Sequence, residues 1–406
     1  MSGEPVVITG MGAVTPFGVG VGALWDGVVA GKDAIRPIER FDTAEYRVKV
    51  AGIVSESDVR GTDFPEDPSI ATRDLALRFS ARAIREAIES AGLTQSDITA
   101  ADAAIVIATN FGPADACEEL YAAAPYDSGA DPETLRESLL DFATTYLGDL
   151  WGARGPRATL SLSCASGNAA LGYATDLLRA GRAKLAIACG VDVISEYAWS
   201  GLLALRTMTT DKVRPFDKNR SGTIFGEGAG AMVLEAKSSA KARGVDARVE
   251  LAGHHSNNNA FHLTAPDKDG ASIVRAMMRA LEDARVGPGE VDHVNAHATA
   301  TKYNDAAETA AIKAVLGKRA AEIPVNGIKS MIGHLMGAAS IVETLVAART
   351  IETGIVPPTI NYETPDPACD LNYVTRGAEK HNVRCALSNS SGLGGGNSVV
   401  VLRRLP

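Results

Sequence analysis

One cysteine and two histidines stand where their side chains could serve a single reaction. Cys164 lies in the run Thr159-Leu-Ser-Leu-Ser-Cys164-Ala-Ser-Gly-Asn-Ala-Ala, after a β-type stretch and ahead of a helical pattern that continues through Tyr173 to Arg179. A thiol at such a strand-to-helix turn meets unpaired amide N–H groups and the positive end of the helix. That setting is expected to lower its pKa and favour a thiolate nucleophile. Ala165, Ser166 and Gly167 are small enough for a sharp turn and for an acyl chain to approach. A buried structural cysteine fits the local pattern equally well. His297 lies in Asn295-Ala-His297-Ala-Thr-Ala-Thr301, and His334 in Gly327-Ile-Lys-Ser-Met-Ile-Gly-His334-Leu-Met-Gly337. Each follows a predicted strand, at the sheet end where α/β sites form. A lone histidine is more often a satisfied core or surface residue, but two in such loops beside a poised cysteine favour a shared site.

The elements that must position these residues alternate short β-branched runs with Ala-rich helical patterns, the mark of an α/β architecture with a covered sheet. Strands are predicted at Val6–Gly10, Ala104–Thr109, Leu185–Gly190 and Gly230–Leu234. A second set falls at Arg248–Ala252, His293–Ala296, Ile323–Asn326 and Asn397–Leu402. Helices are predicted at Ser272–Ala284, Asp305–Leu316 and Ala338–Glu352. The chain reads as duplicated, with an N-terminal half over 1–248 that carries Cys164 and a C-terminal half over 249–406 that carries both histidines and the Gly-rich tail. Residues 38–70 and 111–150 fit neither set and read as insertions capping one face, where binding function commonly sits.

A chain of 406 residues, 46% hydrophobic, can bury a large core or two fused domains. Only 5% is aromatic beside 40 glycines, so packing is led by Ala, Val and Leu. The formal charge of -9 disfavours a nucleic-acid surface, and an acidic partner would have to meet a local basic patch. The five cysteines, Cys117, Cys164, Cys189, Cys369 and Cys385, are odd in number and form no C-x-x-C pair, which points away from a disulfide framework or a zinc site. No run of 18 apolar residues and no signal-type N-terminus is present, so no membrane insertion and a cytoplasmic location are expected.

With these residues in view, the chain resembles the β-ketoacyl-acyl carrier protein synthases, the elongating condensing enzymes of fatty acid and type II polyketide assembly. The opening Val-Val-Ile-Thr-Gly-Met-Gly, the Cys164 turn, Arg214-Pro-Phe-Asp-Lys-Asn-Arg220 with Gly226-Glu-Gly-Ala-Gly230, the His297 loop, the Lys329/His334 loop and the Gly-rich tail fall in the family's order. The resemblance implies a thiolase-like fold, two duplicated α/β halves in α-β-α-β-α layers, working as a homodimer or as a heterodimer with a chain-length-factor-like subunit. It implies an acyltransferase that performs decarboxylative Claisen condensation on acyl carrier protein thioesters, with no metal and no bound cofactor, the substrates riding on phosphopantetheine. Cys164 would take the acyl group. His297 and His334 would hold the malonyl thioester carbonyl, assist loss of carbon dioxide and stabilise the enolate. Lys329, paired to Glu308, would order the site. Thr299 and Thr301 would bond the pantetheine arm, and Thr264, Thr223, Phe225, Leu393 and Gly394 would shape the substrate pocket. An oxyanion hole is expected from the Cys164 amide and an amide near Leu393.

Departures from the family pattern are as informative. The pattern reads His-Gly-Thr-Gly-Thr where this chain has Ala298 and Ala300, and Gly-Phe-Gly-Gly where it has Gly392-Leu393-Gly394-Gly395. Where an aromatic commonly follows the Arg-x-Gly of the central motif, Thr223 follows Gly222, with Phe225 two positions on. Two rings that would shape the acyl pocket are thus altered, which points to an atypical acyl substrate. Three rivals are disfavoured by single features. A thiolase brings a second cysteine in a Cys-x-Gly tail, which Cys385-Ala-Leu-Ser lacks; an initiating synthase has Asn in place of His334; a chain-length factor lacks the nucleophile. For docking of an acidic carrier protein, Arg73, Arg78, Arg206 and Lys212 are the candidate basic residues.

Overall fold

The computed structural model describes residues 4–59, 69–70, 73–123, 132–267 and 269–406. The β-branched runs assemble into one mixed sheet whose main path has ten strands: β1 (Val6–Thr15), β2 (Ala104–Ala108), β3 (Arg157–Leu160), β4 (Leu185–Asp192), β5 (Gly228–Ala236), β6 (Val249–Asn258), β7 (His293–Asn295), β8 (Val325–Asn326), β9 (Cys385–Ser391) and β10 (Gly396–Arg404). Their spatial order is β8-β7-β9-β10-β6-β1-β5-β4-β2-β3. The first five strands and the last five therefore follow the same order from the edge inward, third-second-fourth-fifth-first. Directions repeat too. β2 is parallel to β3 and β4 just as β7 is parallel to β8 and β9, while β5 and β10 are antiparallel to their neighbours. The halves join where Val6–Ile8 of β1 pairs antiparallel with Leu251–Val249 of β6.

Helices fill the layers. Outside lie α1 (Leu75–Ser90), against β1 and β5, and α3 (Ala271–Ala284), against β6 and β10. Between the half-sheets lie α2 (Ser166–Arg179) and α5 (Ala339–Thr353), packed on each other, while α4 (Asn304–Leu316) lies against α3. This is the expected α-β-α-β-α layering. A helix between two sheets must be apolar nearly all round, and residues Ala339 to Ala348 of α5 are all buried. Two of its polar exceptions are bonded across the layer: the Ser340 hydroxyl accepts the Asn168 N–H at 2.9 Å, and the Thr344 hydroxyl lies 2.8 Å from both Asn168 Oδ1 and Ser388 Oγ.

The predicted core strands are present, most of them longer than expected; β1 runs on to Thr15 past a register shift between Ile8 and Gly10. β9 was not expected. Its Leu387-Ser-Asn-Ser-Ser run has loop composition, yet it sits inside the sheet because neighbouring helices and loops supply hydrogen-bond partners for its hydroxyls. Within the two expected insertions, the described residues include the strand Val50–Gly52, which pairs with Ile35–Pro37 just ahead of the first insertion, and the helices Ala114–Ala123, Pro132–Glu137 and Phe142–Leu150. Residues 60–68 and 124–131 of those insertions lie outside the described residues.

Candidate active site

The parallel strands β2, β3, β4, β7, β8 and β9 aim their C-terminal ends at one region, and the loops that follow carry the reactive side chains. After β3 the chain turns at Ser163, whose φ of +50° is left-handed, and α2 starts two residues past Cys164. The Ser166 hydroxyl closes the turn by accepting the Leu162 N–H at 2.7 Å. Cys164 is 8% exposed. Burial pushes its thiol up to about 11, while the Lys329 ammonium and the Leu393 N–H pull it down. The expected lowering is thus overturned, because desolvation of a thiolate this deep outweighs the donors around it. The Gly-rich tail reaches the nucleophile because position 392 has no side chain: a Cβ there would sit 2.7 Å from Ser163 Cβ and 3.1 Å from the Cys164 amide nitrogen.

His297 leaves the end of β7 in a loop held from behind. Glu308 on α4 accepts the His297 N–H at 2.7 Å, the Ala298 N–H at 2.9 Å and the Asn389 side-chain amide at 2.6 Å. His297 Nδ1 lies 3.3 Å from Lys329 Nζ and 3.2 Å from the Ser390 hydroxyl. An ammonium has donors only, so Nδ1 accepts and the ring proton sits on Nε2. His334 is fixed likewise. Its Nδ1 accepts the Met336 N–H at 3.1 Å, which places the proton on Nε2, an atom with no partner. Burial, with the Lys329 charge second, holds both imidazoles well below the usual histidine range, so both are neutral. The two rings meet edge to face with centroids 5.3 Å apart, and the ligating atoms of Cys164, His297 and His334 all lie within 4.8 Å of one another. A metal-bound imidazole usually donates its second ring N–H to a carbonyl or carboxylate. Here both Nδ1 atoms accept, leaving N–H hydrogens rather than lone pairs on Nε2. The set suits an oxyanion, not a cation.

Lys329 does not pair with Glu308, contrary to expectation. Its ammonium bonds Glu343 on α5, with Lys329 1% and Glu343 2% exposed. Glu308 instead spends its oxygens on the His297 loop and Asn389. Sequence reasoning missed Glu343, although a single carboxylate inside the apolar stretch of α5 signals a buried partner. It also missed Ser390, whose hydroxyl bonds the Cys164 carbonyl at 3.0 Å and reaches His297, and Asp192 at the end of β4. Asp192 accepts N–H groups from Asn110, Phe111 and Gly337, tying the β2 loop to the His334 turn.

A cavity of about 140 Å³ opens over this cluster. Cys164, His297 and His334 line it, together with Thr299, Thr301, Thr264, Thr223, Phe225 and Leu393. The Thr299 and Thr301 hydroxyls are 3.0 Å apart. Gly394 is not part of the lining; its N–H bonds the Leu263 carbonyl at 2.7 Å and anchors the rim. Phe225, two positions past Thr223, stacks on His334 at 5.3 Å between centroids. Of the basic candidates, Arg206 is exposed and precedes Thr207 of the cavity wall, and Lys212 is exposed in the loop that follows. Arg73 is committed to Glu133 and Glu137 and, with Arg78, borders a separate polar depression beside Asp115.

Comparison with known proteins agrees with this geometry. The family model described as "Beta-ketoacyl synthase, N-terminal domain" matches residues 3–240, and "Beta-ketoacyl synthase, C-terminal domain" matches 248–363. The chain is 38% identical over 415 residues to the tetracenomycin polyketide synthase ketoacyl synthase alpha subunit of Streptomyces glaucescens, covering 98% of this chain and 97% of that one. It is 35% identical over 410 residues to 3-oxoacyl-[acyl-carrier-protein] synthase 2 of Synechocystis, covering 98% of each. Among solved structures, the ishigamide ketosynthase/chain length factor superimposes with a TM-score of 0.91 at 35% identity over all of both chains. A type II polyketide synthase acyl-carrier protein in complex with its ketosynthase bound to the hexaketide does so with a TM-score of 0.90 at 31% identity, again over all of both. With both family models matched in order along a chain whose Cys-His-His cluster lies at the matching strand ends, this protein belongs to the β-ketoacyl synthase family of condensing acyltransferases.

Proposed function

We propose that the chain extends an acyl group held on Cys164 by a two-carbon unit from malonyl-acyl carrier protein, in fatty acid or type II polyketide assembly. The single observation that carries this reading is the cluster in which a ring nitrogen of each neutral imidazole and the Cys164 sulfur lie within 4.8 Å of one another. In the first half-reaction the sulfur attacks the acyl thioester carbonyl, and the pantetheine thiol leaves with the proton. The Leu393 and Cys164 amides would hold the carbonyl oxygen as it gains charge. In the second, the malonyl thioester binds with its carbonyl oxygen on the two Nε2–H groups. The bond to the carboxylate breaks, carbon dioxide leaves, and its electron pair becomes an enolate on that oxygen. The enolate carbon attacks the acyl-cysteine carbonyl, and the Cys164 sulfur departs and regains a proton. Lys329, held by Glu343, keeps His297 in the required tautomer. No step needs a metal or a bound cofactor.

The acyl carrier protein is the partner the site calls for, with Arg206 and Lys212 beside the opening. A second subunit of the same fold, another copy or a chain-length-factor-like chain, completes the assembly; the ketosynthase/chain length factor neighbour supports this. Five free cysteines support a reducing compartment, the cytoplasm, and no helix among the described residues is long and apolar enough to cross a membrane.

Separating the half-reactions tests the reading. His334→Ala should still take acyl groups onto Cys164 but release carbon dioxide from malonyl-carrier about a hundredfold or more slowly, the usual scale for a lost oxyanion donor. Wild-type carbon dioxide release by both His297→Ala and His334→Ala would sink it.

A further inference from the structure

We infer that Ala298 and Gly327 form a matched steric pair that sets the spacing between His297 and Lys329, an inference that rests on the condensation reading above. Ala298 directly follows His297, is fully buried and holds a left-handed φ of +49°. Gly327 lies two residues before Lys329, and its N–H is bonded to the Thr359 hydroxyl at 2.9 Å. A Cβ built on Gly327 would lie 2.2 Å from the Ala298 Cβ, far inside the ~3.5–4.0 Å at which carbons rest in contact. The next nearest atoms are the Ala296 carbonyl oxygen at 3.6 Å and Ala298 Cα at 3.7 Å, both ordinary contacts. One methyl can therefore stand on either loop, but not on both. Glycine adopts the φ of residue 298 without the penalty an alanine meets there, so the methyl sits on the side where the backbone accepts it less readily, and position 327 is empty in compensation.

The consequence reaches the chemistry through one contact. The His297 loop and the Lys329 turn meet at 3.3 Å between Nδ1 and Nζ, and that contact fixes the Nε2–H tautomer. Ala298 and Gly327 belong to those two segments and to neither side of the Cys164 turn. They are positioning residues for the condensation step, not for acyl transfer.

The test compares Gly327→Ala, Ala298→Gly and the double variant in the full-length enzyme. Acylation of Cys164 is read by peptide mass spectrometry, and condensation by carbon dioxide release from malonyl-carrier. Gly327→Ala should acylate near the wild-type rate and lose about a hundredfold in carbon dioxide release, the scale of a ~1 Å misplacement. The double variant should regain most of that loss. Equal proportional losses in both half-reactions by a folded Gly327→Ala, or a double variant no better than the single, would overturn the inference. Should Gly327→Ala fail to fold, the double variant must fold and condense, and its failure to do so overturns the inference too. A wild-type enzyme that never acylates Cys164 would instead count against the condensation reading, and the melting temperatures of the three variants would still measure the steric coupling.

Discussion

Cys164 sits where a helix end should ionise it and where burial should keep it neutral, and the two influences give opposite pH behaviour. With desolvation dominant and the thiol near 11, the reactive thiolate is a minor species at neutral pH that Lys329 and the Leu393 N–H stabilise as it forms. Alkylation of the Cys164 peptide by iodoacetamide should therefore rise about tenfold per unit from pH 7 to about pH 9.5; a rate already level at pH 8 would show that the helix end prevails. Leu393 offers a second test. It lines the wall beside Cys164 where the family pattern has a phenylalanine, and overfilling a packed cavity costs about 1–3 kcal/mol, about tenfold or more in rate. Leu393→Phe should slow loading of bulky or rigid acyl groups most and short ones least; an unchanged ranking of acylation rates would contradict it. At this scale Cys164, His297 and His334 were legible because each lies beside a turn of distinctive composition. Glu343 was not, since nothing in a one-dimensional reading says which buried cation an isolated carboxylate on α5 will meet.

The element that decides the geometry of the second half-reaction is the loop between β7 and α4, and Glu308 is its anchor. Three donors converge on this carboxylate, two of them backbone N–H groups flanking His297. Glu308→Gln keeps the shape but turns one acceptor into a donor facing a donor. Leaving a buried N–H unsatisfied costs about 1–3 kcal/mol, so the variant's unfolding free energy in a denaturant titration should fall by that amount, and condensation should suffer more than acylation. Wild-type stability would show that Glu308 is not the anchor. The strands and helices with strong apolar period were readable in advance, whereas β9 was not, because its serines and its asparagine are made strand-like only by partners from distant segments: Thr344 at Ser388, the Cys164 carbonyl at Ser390 and Glu308 at Asn389. The same holds for the partners of Lys329 and Glu308, which the sequence reading joined to each other, since those partners lie on α5 and on the backbone of the His297 loop.

Across the whole molecule, the repeated strand order explains how residues 164, 297, 334 and 390, spread over more than half the chain, come to one point. Each half delivers the ends of its parallel strands to the same face, and α2 and α5 between the half-sheets hold the two deliveries in register. In the proposed reaction the first half supplies Cys164 with its amide N–H, and the second supplies His297, His334 and the Leu393 N–H, so neither could condense alone. The duplication was visible in the sequence only as a recurring pattern of elements, because what the halves share is strand order and direction, not residue identity. The most direct test of this division of labour follows one peptide through both half-reactions. After incubation with an acyl-carrier thioester, mass spectrometry should find the acyl mass on the Cys164 peptide, and adding malonyl-carrier should free that cysteine as a β-ketoacyl group two carbons longer appears on the carrier. An enzyme that carries the acyl group elsewhere, or keeps it on Cys164 when malonyl-carrier is added, would contradict the account.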